Sequence, residues 1–285
     1  TWSGIDISRT DIASQMLQKL SIILAAAMCT SMSAQTLTFP AAKFKAGDAA
    51  EWKNADYDDT AWQTLDVSRT WDSQGIPSET NFGWYRFHVR PTKAMLDNSD
   101  LKEYIVFDLG TIDDVDEAYL NGVLIGKTGN MPGDKGQYSA LFNVPRKYIV
   151  KASDKNIKWD QDNVLAVRCY SGNAPGGMYG GHVNVSVPDR IDGGSITFSQ
   201  DNFDSMPTYT VTLNESYPST LSGTLTIDVT DIETGKLIDS TTKKVSATKN
   251  KPARLTFPYD KKDCLRVKAT FTDKKSGKQI KAAYT

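Results

Sequence analysis

Histidine and cysteine are scarce in this sequence: two histidines, His88 and His182, and three cysteines, Cys29, Cys169 and Cys264, in 285 residues. A zinc centre needs several closely spaced nitrogen or sulfur ligands, and no ligand-type spacing surrounds either histidine, so a zinc site is not expected. Cys169 and Cys264 stand far apart and read as buried thiols rather than as a disulfide. Excess charge is lacking too. The 33 basic and 34 acidic residues leave a net charge of −1 with no basic block, so the electrostatic footprint of a nucleic-acid-binding protein is missing. The chain has no Gly-x-Ser-x-Gly elbow and no compact Ser-His-Asp signature, and Gly176–Gly181 is followed by neither the lysine nor the helix of a phosphate-cradling loop. Helical periodicity is scarce. What remains is an ordinary globular composition, 39% hydrophobic and 10% aromatic, sufficient to bury a core.

The longest apolar run lies near the start. Lys19 precedes the stretch Leu20 to Cys29, and the small residues Ser31, Ser33 and Ala34 follow it. That layout is a secretory signal, and the run is shorter than the about 20 apolar residues a membrane span requires. The reading is a start at Met16, processing near Ala34 and a secreted or periplasmic protein with no membrane span. Residues 1–15 read as upstream translation or an excerpt boundary.

Beyond Ala34 the texture is β. Short alternating or apolar runs are bounded by Gly, Pro, Asn and Asp, which predicts two sandwiches. Asn121-Gly122, between AYL and VLIG, predicts a two-residue hairpin, because both central residues of a type I′ turn need positive φ. Tyr104–Leu109 and Val164–Tyr170 read as strands buried on both faces. After Pro188 the pair Gly193-Gly194 punctuates the chain and aromatic residues thin out, placing a boundary near residue 190. From there Tyr209, Val211 and Leu213, then Leu225, Ile227 and Val229, then Leu265, Val267, Ala269 and Phe271 alternate with polar residues, predicting strands with one buried face. About seven strands separated by turns at Glu233–Gly235 and Lys274–Gly277 have the size and spacing of an immunoglobulin-like sandwich.

Three segments of the first domain carry a family resemblance. They are Trp52-Lys-Asn-Ala-Asp-Tyr-Asp58-Asp59-Thr-Ala-Trp62 with Trp71 and Gly83-Trp84-Tyr85-Arg86; Phe107 to Gly122 with its Ile112-Asp113-Asp114-Val-Asp116-Glu117 core; and Asn163 to Arg168 leading to Gly176-Gly177-Met178-Tyr179. Together they resemble the N-terminal sugar-binding domain of glycoside hydrolase family 2, the β-galactosidase and β-glucuronidase family. A similar jelly roll occurs in sialate O-acetylesterase-like proteins. The resemblance implies an all-β chain: a galactose-binding-like jelly roll over residues 35–190, then an immunoglobulin-like sandwich over 191–285, after the upstream residues and signal of 1–34. In that family a catalytic (β/α)₈ barrel comes next. Such a barrel usually needs roughly 250 residues, which 285 cannot hold beside two sandwiches. Family 2 enzymes commonly continue the Gly-Ile/Met-Tyr loop with Arg-Asp, an Asp that in β-galactosidases reaches toward the sugar; here Gly180-Gly181-His182 stand instead.

The expectation is a sugar-binding role without catalytic residues in this chain. Trp84 and Tyr179, with Trp71 and Tyr85, could stack on sugar rings, while Arg86, Asp113, Asp114 and His182 could bond hydroxyls. Tyr179, on a Gly-rich loop where backbone can approach a ligand, is the foremost contact. By strand alternation Asp113, Asp114, Asp116 and Glu117 read as turn or surface residues rather than a glycosidase carboxylate pair, with a structural calcium site as a further possibility for such an Asp-rich segment. No cofactor is expected. The readings are the non-catalytic front of a secreted family 2-like hydrolase, whose jelly roll binds a galactose- or glucuronate-type glycan, or a free-standing secreted carbohydrate-binding protein, or the accessory region of a carbohydrate esterase.

Overall fold

The computed structural model describes residues 36–173, 175–201, 208–258 and 265–284. The expected signal segment, the Met16 start and Cys264 lie outside the described residues. The described strands belong to one compact unit and build four antiparallel sheets.

The first two sheets enclose the larger core. One is ordered β3 (Gln63–Asp66), β2 (Ala41–Ala46), β4 (Phe82–Val89), β9 (Asn163–Tyr170), β6 (Val115–Leu120) and β7 (Val123–Thr128). In the other, β5 (Tyr104–Asp113) is the central strand. It pairs with β8 (Pro145–Lys151), with β11 (Val183–Ser186) and, at its end, with the short β10 (Gly177–Met178), while β1 (Thr36–Phe39) adds to β11. Phe44, Trp71, Tyr85, Phe87, Phe107, Leu165 and Met178 fill the space between these sheets. The hairpin from β6 to β7 turns at Asn121 (φ 50°) and Gly122 (φ 86°), the positive φ pair that the two-residue connection demands.

β4 and β9 are buried on both faces. Inward, Tyr85, Phe87 and Val89 meet the main core. Outward, Trp84 joins Val164 and Ala166 beneath Trp52 and Trp62, brought over the sheet by the 3₁₀ turn Ala50–Lys53 and the segment after it. The sheet is thus coated by a second, smaller apolar cluster.

The remaining sheets form the second sandwich. β12 (Gly194–Asp201), β13 (Thr208–Glu215) and β16 (Ala253–Pro258) face β15 (Leu237–Thr248), β14 (Thr220–Asp231), β17 (Leu265–Asp273) and β18 (Gln279–Tyr284). The alternating apolar residues of β13, β14 and β17 are all buried between them. Tyr217 leaves this sandwich to pack on Leu101 and Val106 of the first, and a 3₁₀ turn at Arg190–Gly193 carries the chain across. No helix of the described residues is long and apolar enough to cross a membrane.

Candidate functional site

The chain breaks between strands at Asp113 and Asp114. β5 ends on Asp113 and β6 starts at Val115, so strand alternation does not govern this pair. The carboxylates expected to diverge instead line one open cleft of about 560 Å³.

The loop opposite is shaped by two glycines. Gly177 pairs with Asp113 and Met178 with Ile112. Gly176 and Gly177 hold φ of 62° and 89°, and a Cβ on Gly177 would come within 2.5 Å of the Trp71 ring and 2.8 Å of the Tyr85 hydroxyl. Only glycine lets the backbone lie this close to a buried aromatic at positive φ. Trp71 Nε1 donates to Tyr85 Oη at 2.8 Å, and the Met178 N–H donates to the same oxygen at 3.2 Å. The loop is therefore bonded to the core.

Tyr138, Phe142, Tyr179 and Pro175 supply the apolar surface of the cleft, with Thr70 and Asn173 at its edge. Phe142 is 51% exposed and Tyr138 39%, whereas Asp114 is buried and Asp113 half-buried, so the Asp114 carboxyl lies deepest and the rings outward. Asp114 Oδ2 accepts from the Gly172 N–H at 2.9 Å and from the Tyr138 hydroxyl. Asp113 Oδ2 accepts from the Gly176 N–H at 3.1 Å. Tyr179 donates its hydroxyl to the Phe142 carbonyl, joining the two loops that face each other.

The two carboxyls divide their protons unequally. Burial, then the hydrogen bond to Asp114 and its negative charge, push Asp113 up to about 6. Burial also works to raise Asp114, but hydrogen bonds from Asp113, Tyr138 and Gly172, with the Arg146 charge, outweigh it and hold Asp114 below the ordinary carboxylate range. Asp113 therefore takes up its proton as pH falls through about 6, while Asp114 stays an anion. Behind them Arg146 is wholly buried: Nε donates to Asp116 Oδ1 at 2.8 Å, one terminal nitrogen donates to the Asp114 carbonyl at 2.6 Å, and the other donates to the carbonyls of Leu141 and Val144. It fixes the strand break and the Phe142 loop together. Tyr148 donates to the second oxygen of Asp116.

Of the six residues expected to bind carbohydrate, Asp113, Asp114 and Tyr179 come together. Trp84 and Arg86 do not. Trp84 is buried in the outer cluster and donates Nε1 to Asp48 at 3.0 Å. Arg86 is equally buried, with Nε on Asp59 at 2.7 Å and its other nitrogens on the carbonyls of Trp52, Asn54 and Tyr57. A buried guanidinium so engaged has nothing to offer a sugar. His182 is exposed and does not line the cleft, while Trp71 and Tyr85 are core. Among the described residues no group of three or more His, Cys, Asp and Glu is placed to hold a metal ion. The carboxylates of the Asp-rich segment are otherwise engaged, Asp116 on Arg146 and Glu117 on Arg168.

Sequence reasoning missed Tyr138, Phe142 and Arg146. The first two sit in a loop without periodicity. Arg146 carried a signal, since it alternates in phase with Tyr148 and Val150, buried positions of β8.

No protein-family model matches the chain, and no curated protein does. Solved structures do. Bacteroides uniformis β-glucuronidase 2, covalently bound to cyclophellitol-6-carboxylate aziridine, superposes with a TM-score of 0.58 at 16% identity over 88% of this chain and 32% of that one. A glycosyl hydrolase family 2 member from Bacteroides cellulosilyticus gives 0.54 at 14% identity over 87% and 36%. Bifidobacterium dentium β-glucuronidase, complexed with coumarin-3-O-glucuronide, gives 0.54 at 11% identity over 89% and 48%. The fold is shared, and the chain spans about a third to a half of the length of these proteins.

Proposed function

We propose that this chain is the non-catalytic front portion of a secreted, glycoside hydrolase family 2-like enzyme of the β-galactosidase and β-glucuronidase type, and that its first sandwich binds glycan in the Asp113–Asp114 cleft. The observation that carries the reading is the likeness over nearly nine-tenths of this chain to a third or so of family 2 glycosidases. The cleft supports the binding role: exposed aromatic rings offer an apolar wall, and a few convergent carboxyls and backbone groups offer hydrogen bonds, the usual construction of a small-ligand site. Secretion is supported by Lys19 and the apolar run after it. No catalytic role is assigned to Asp113 and Asp114. They are consecutive residues whose carboxyls lie close enough to shift each other's protonation, whereas glycosidase pairs stand about 5 Å or more apart across the sugar.

The reading frame of the gene beyond Thr285 tests the parentage. Continuation into alternating strands and helices is expected, and a stop codon at that point would replace the proposal by a free-standing carbohydrate-binding protein, the reading that the self-contained cleft favours next. Calorimetry of the chain against a glycan panel tests binding, and silence across the panel would leave the sandwich a structural role.

A further inference from the structure

We infer that the cleft accepts a neutral sugar ring and rejects a uronate. The inference rests on the glycan-binding reading above and names the class of sugar.

Two carboxyls line this cleft, and among the described residues no Lys, Arg or His does. Arg146, the cation closest behind it, has no exposed side-chain surface, is paired with Asp116, and gives its remaining bonds to the carbonyls of Asp114, Leu141 and Val144. Arg69, next to the lining residue Thr70, is exposed and gives one terminal nitrogen to the Ser73 carbonyl, and both it and His182 lie outside the lining. A uronate carboxylate entering here at pH 7.5 meets the Asp113 and Asp114 carboxylates, with no cation among the described lining residues to compensate them. Proteins recognise carboxylates through bidentate Arg or clustered N–H donors, and here the N–H groups of Gly172 and Gly176 are already spent on Asp114 and Asp113, which leaves neutral donors such as the Asn173 amide in the lining. Like charges facing each other across a contact cost several kcal/mol.

A neutral ring meets no such opposition. Its hydroxyls donate to carboxyl oxygens in charge-assisted bonds, and its C–H face covers Phe142 and Tyr179, which are open to solvent in part. The same carboxylate acceptors that oppose the acid therefore favour the alcohol. Should the parent enzyme cleave glucuronides, this cleft would hold a different, neutral part of the glycan.

The test uses ring-matched pairs on the full chain at pH 7.5: methyl β-D-galactopyranoside against methyl β-D-galacturonide, and methyl β-D-glucopyranoside against methyl β-D-glucuronide, by saturation-transfer NMR and calorimetry. The neutral member of a pair should bind at least about tenfold more tightly, with the gap shrinking as salt is raised. Equal or tighter binding of the uronide overturns the inference and leaves glycan binding standing, whereas absence of binding by all four overturns both. An Asp113→Asn/Asp114→Asn variant, checked for an unchanged melting profile, should cut the discrimination to about threefold or less, since both opposing charges are gone. Discrimination that survives in this variant overturns the role given to the two carboxylates.

Discussion

Arg146 and Asp116 form an ion pair at 2.8 Å with neither side chain reaching solvent, directly behind the cleft. Removing one member leaves the other charge buried and uncompensated. Arg146→Ala or Asp116→Ala should therefore each lower stability by about 3–5 kcal/mol in urea denaturation, while a paired apolar replacement such as Arg146→Met with Asp116→Leu should recover only part of that loss, because the carbonyls of Asp114, Leu141 and Val144 and the Tyr148 hydroxyl stay without their partners. Recovery in the double variant would show that this part of the penalty lies in the orphaned charge.

Stability should depend on pH through Asp113. Its folded-state value is raised to about 6, so the folded chain binds the proton more tightly than the unfolded one. Folding is thus favoured as pH falls from above 6 toward about 4, by about 1 kcal/mol after allowance for solvent screening at a half-exposed group. Asp114 acts with the opposite sign: it is depressed, and its contribution is lost as pH drops below the ordinary carboxylate range. Melting temperature recorded from pH 4 to 7.5 should decline with rising pH through this interval, and the decline should flatten in Asp113→Asn.

Phe142 separates binding from folding. Half of it is exposed, so Phe142→Ala should change stability by no more than about 0.5 kcal/mol. Glycan affinity should fall about three- to tenfold, the worth of one aromatic contact. Unchanged affinity would place the sugar elsewhere.

Trp84 should behave in the reverse way. It stacks on Tyr119 and meets Trp52 edge to face in the outer cluster. Trp84→Ala should cost about 3–5 kcal/mol, and at temperatures where the variant is folded its glycan affinity should match that of the parent chain.

Gly177→Ala should destabilise by about 3 kcal/mol, because the new methyl group meets the Trp71 ring and the Tyr85 hydroxyl at positive φ. A Gly181→Ala control also carries a positive-φ penalty, but nothing lies within 4 Å of its Cβ. The difference in melting temperature between the two isolates the steric part.

Elements governed by local chemistry were legible in the sequence. Asn121-Gly122 announced a hairpin because its φ requirement is local, and Val211, Ile227 and Val267 announced buried faces because period two is local. The candidate site was half legible. Tyr179 was marked by its glycines, and Asp113 and Asp114 by the motif around them, yet alternation sent the two carboxyls apart because it presumes an unbroken strand. Trp84 and Arg86 were misplaced for another reason. Alternation identifies the two faces of β4 and says nothing about what covers the second, and here Trp52 and Trp62 return from an earlier segment to do so. Tyr138 and Phe142 reach the cleft through a long loop whose path is set by Arg146, a contact with no counterpart in sequence spacing.

The bond from Trp71 to Tyr85, and from Tyr85 to the Met178 backbone, makes a core ring the mould on which one wall of the cleft is cast. On the glycan-binding proposal, a sugar arriving there would find the wall already ordered by the core and give up little entropy to order it, which would favour affinity beyond what so open a cleft suggests. The same arrangement yokes two properties that most proteins can vary separately: a substitution that loosens the interior at Trp71 also blurs recognition at the surface, so fold and specificity in this chain are inherited together.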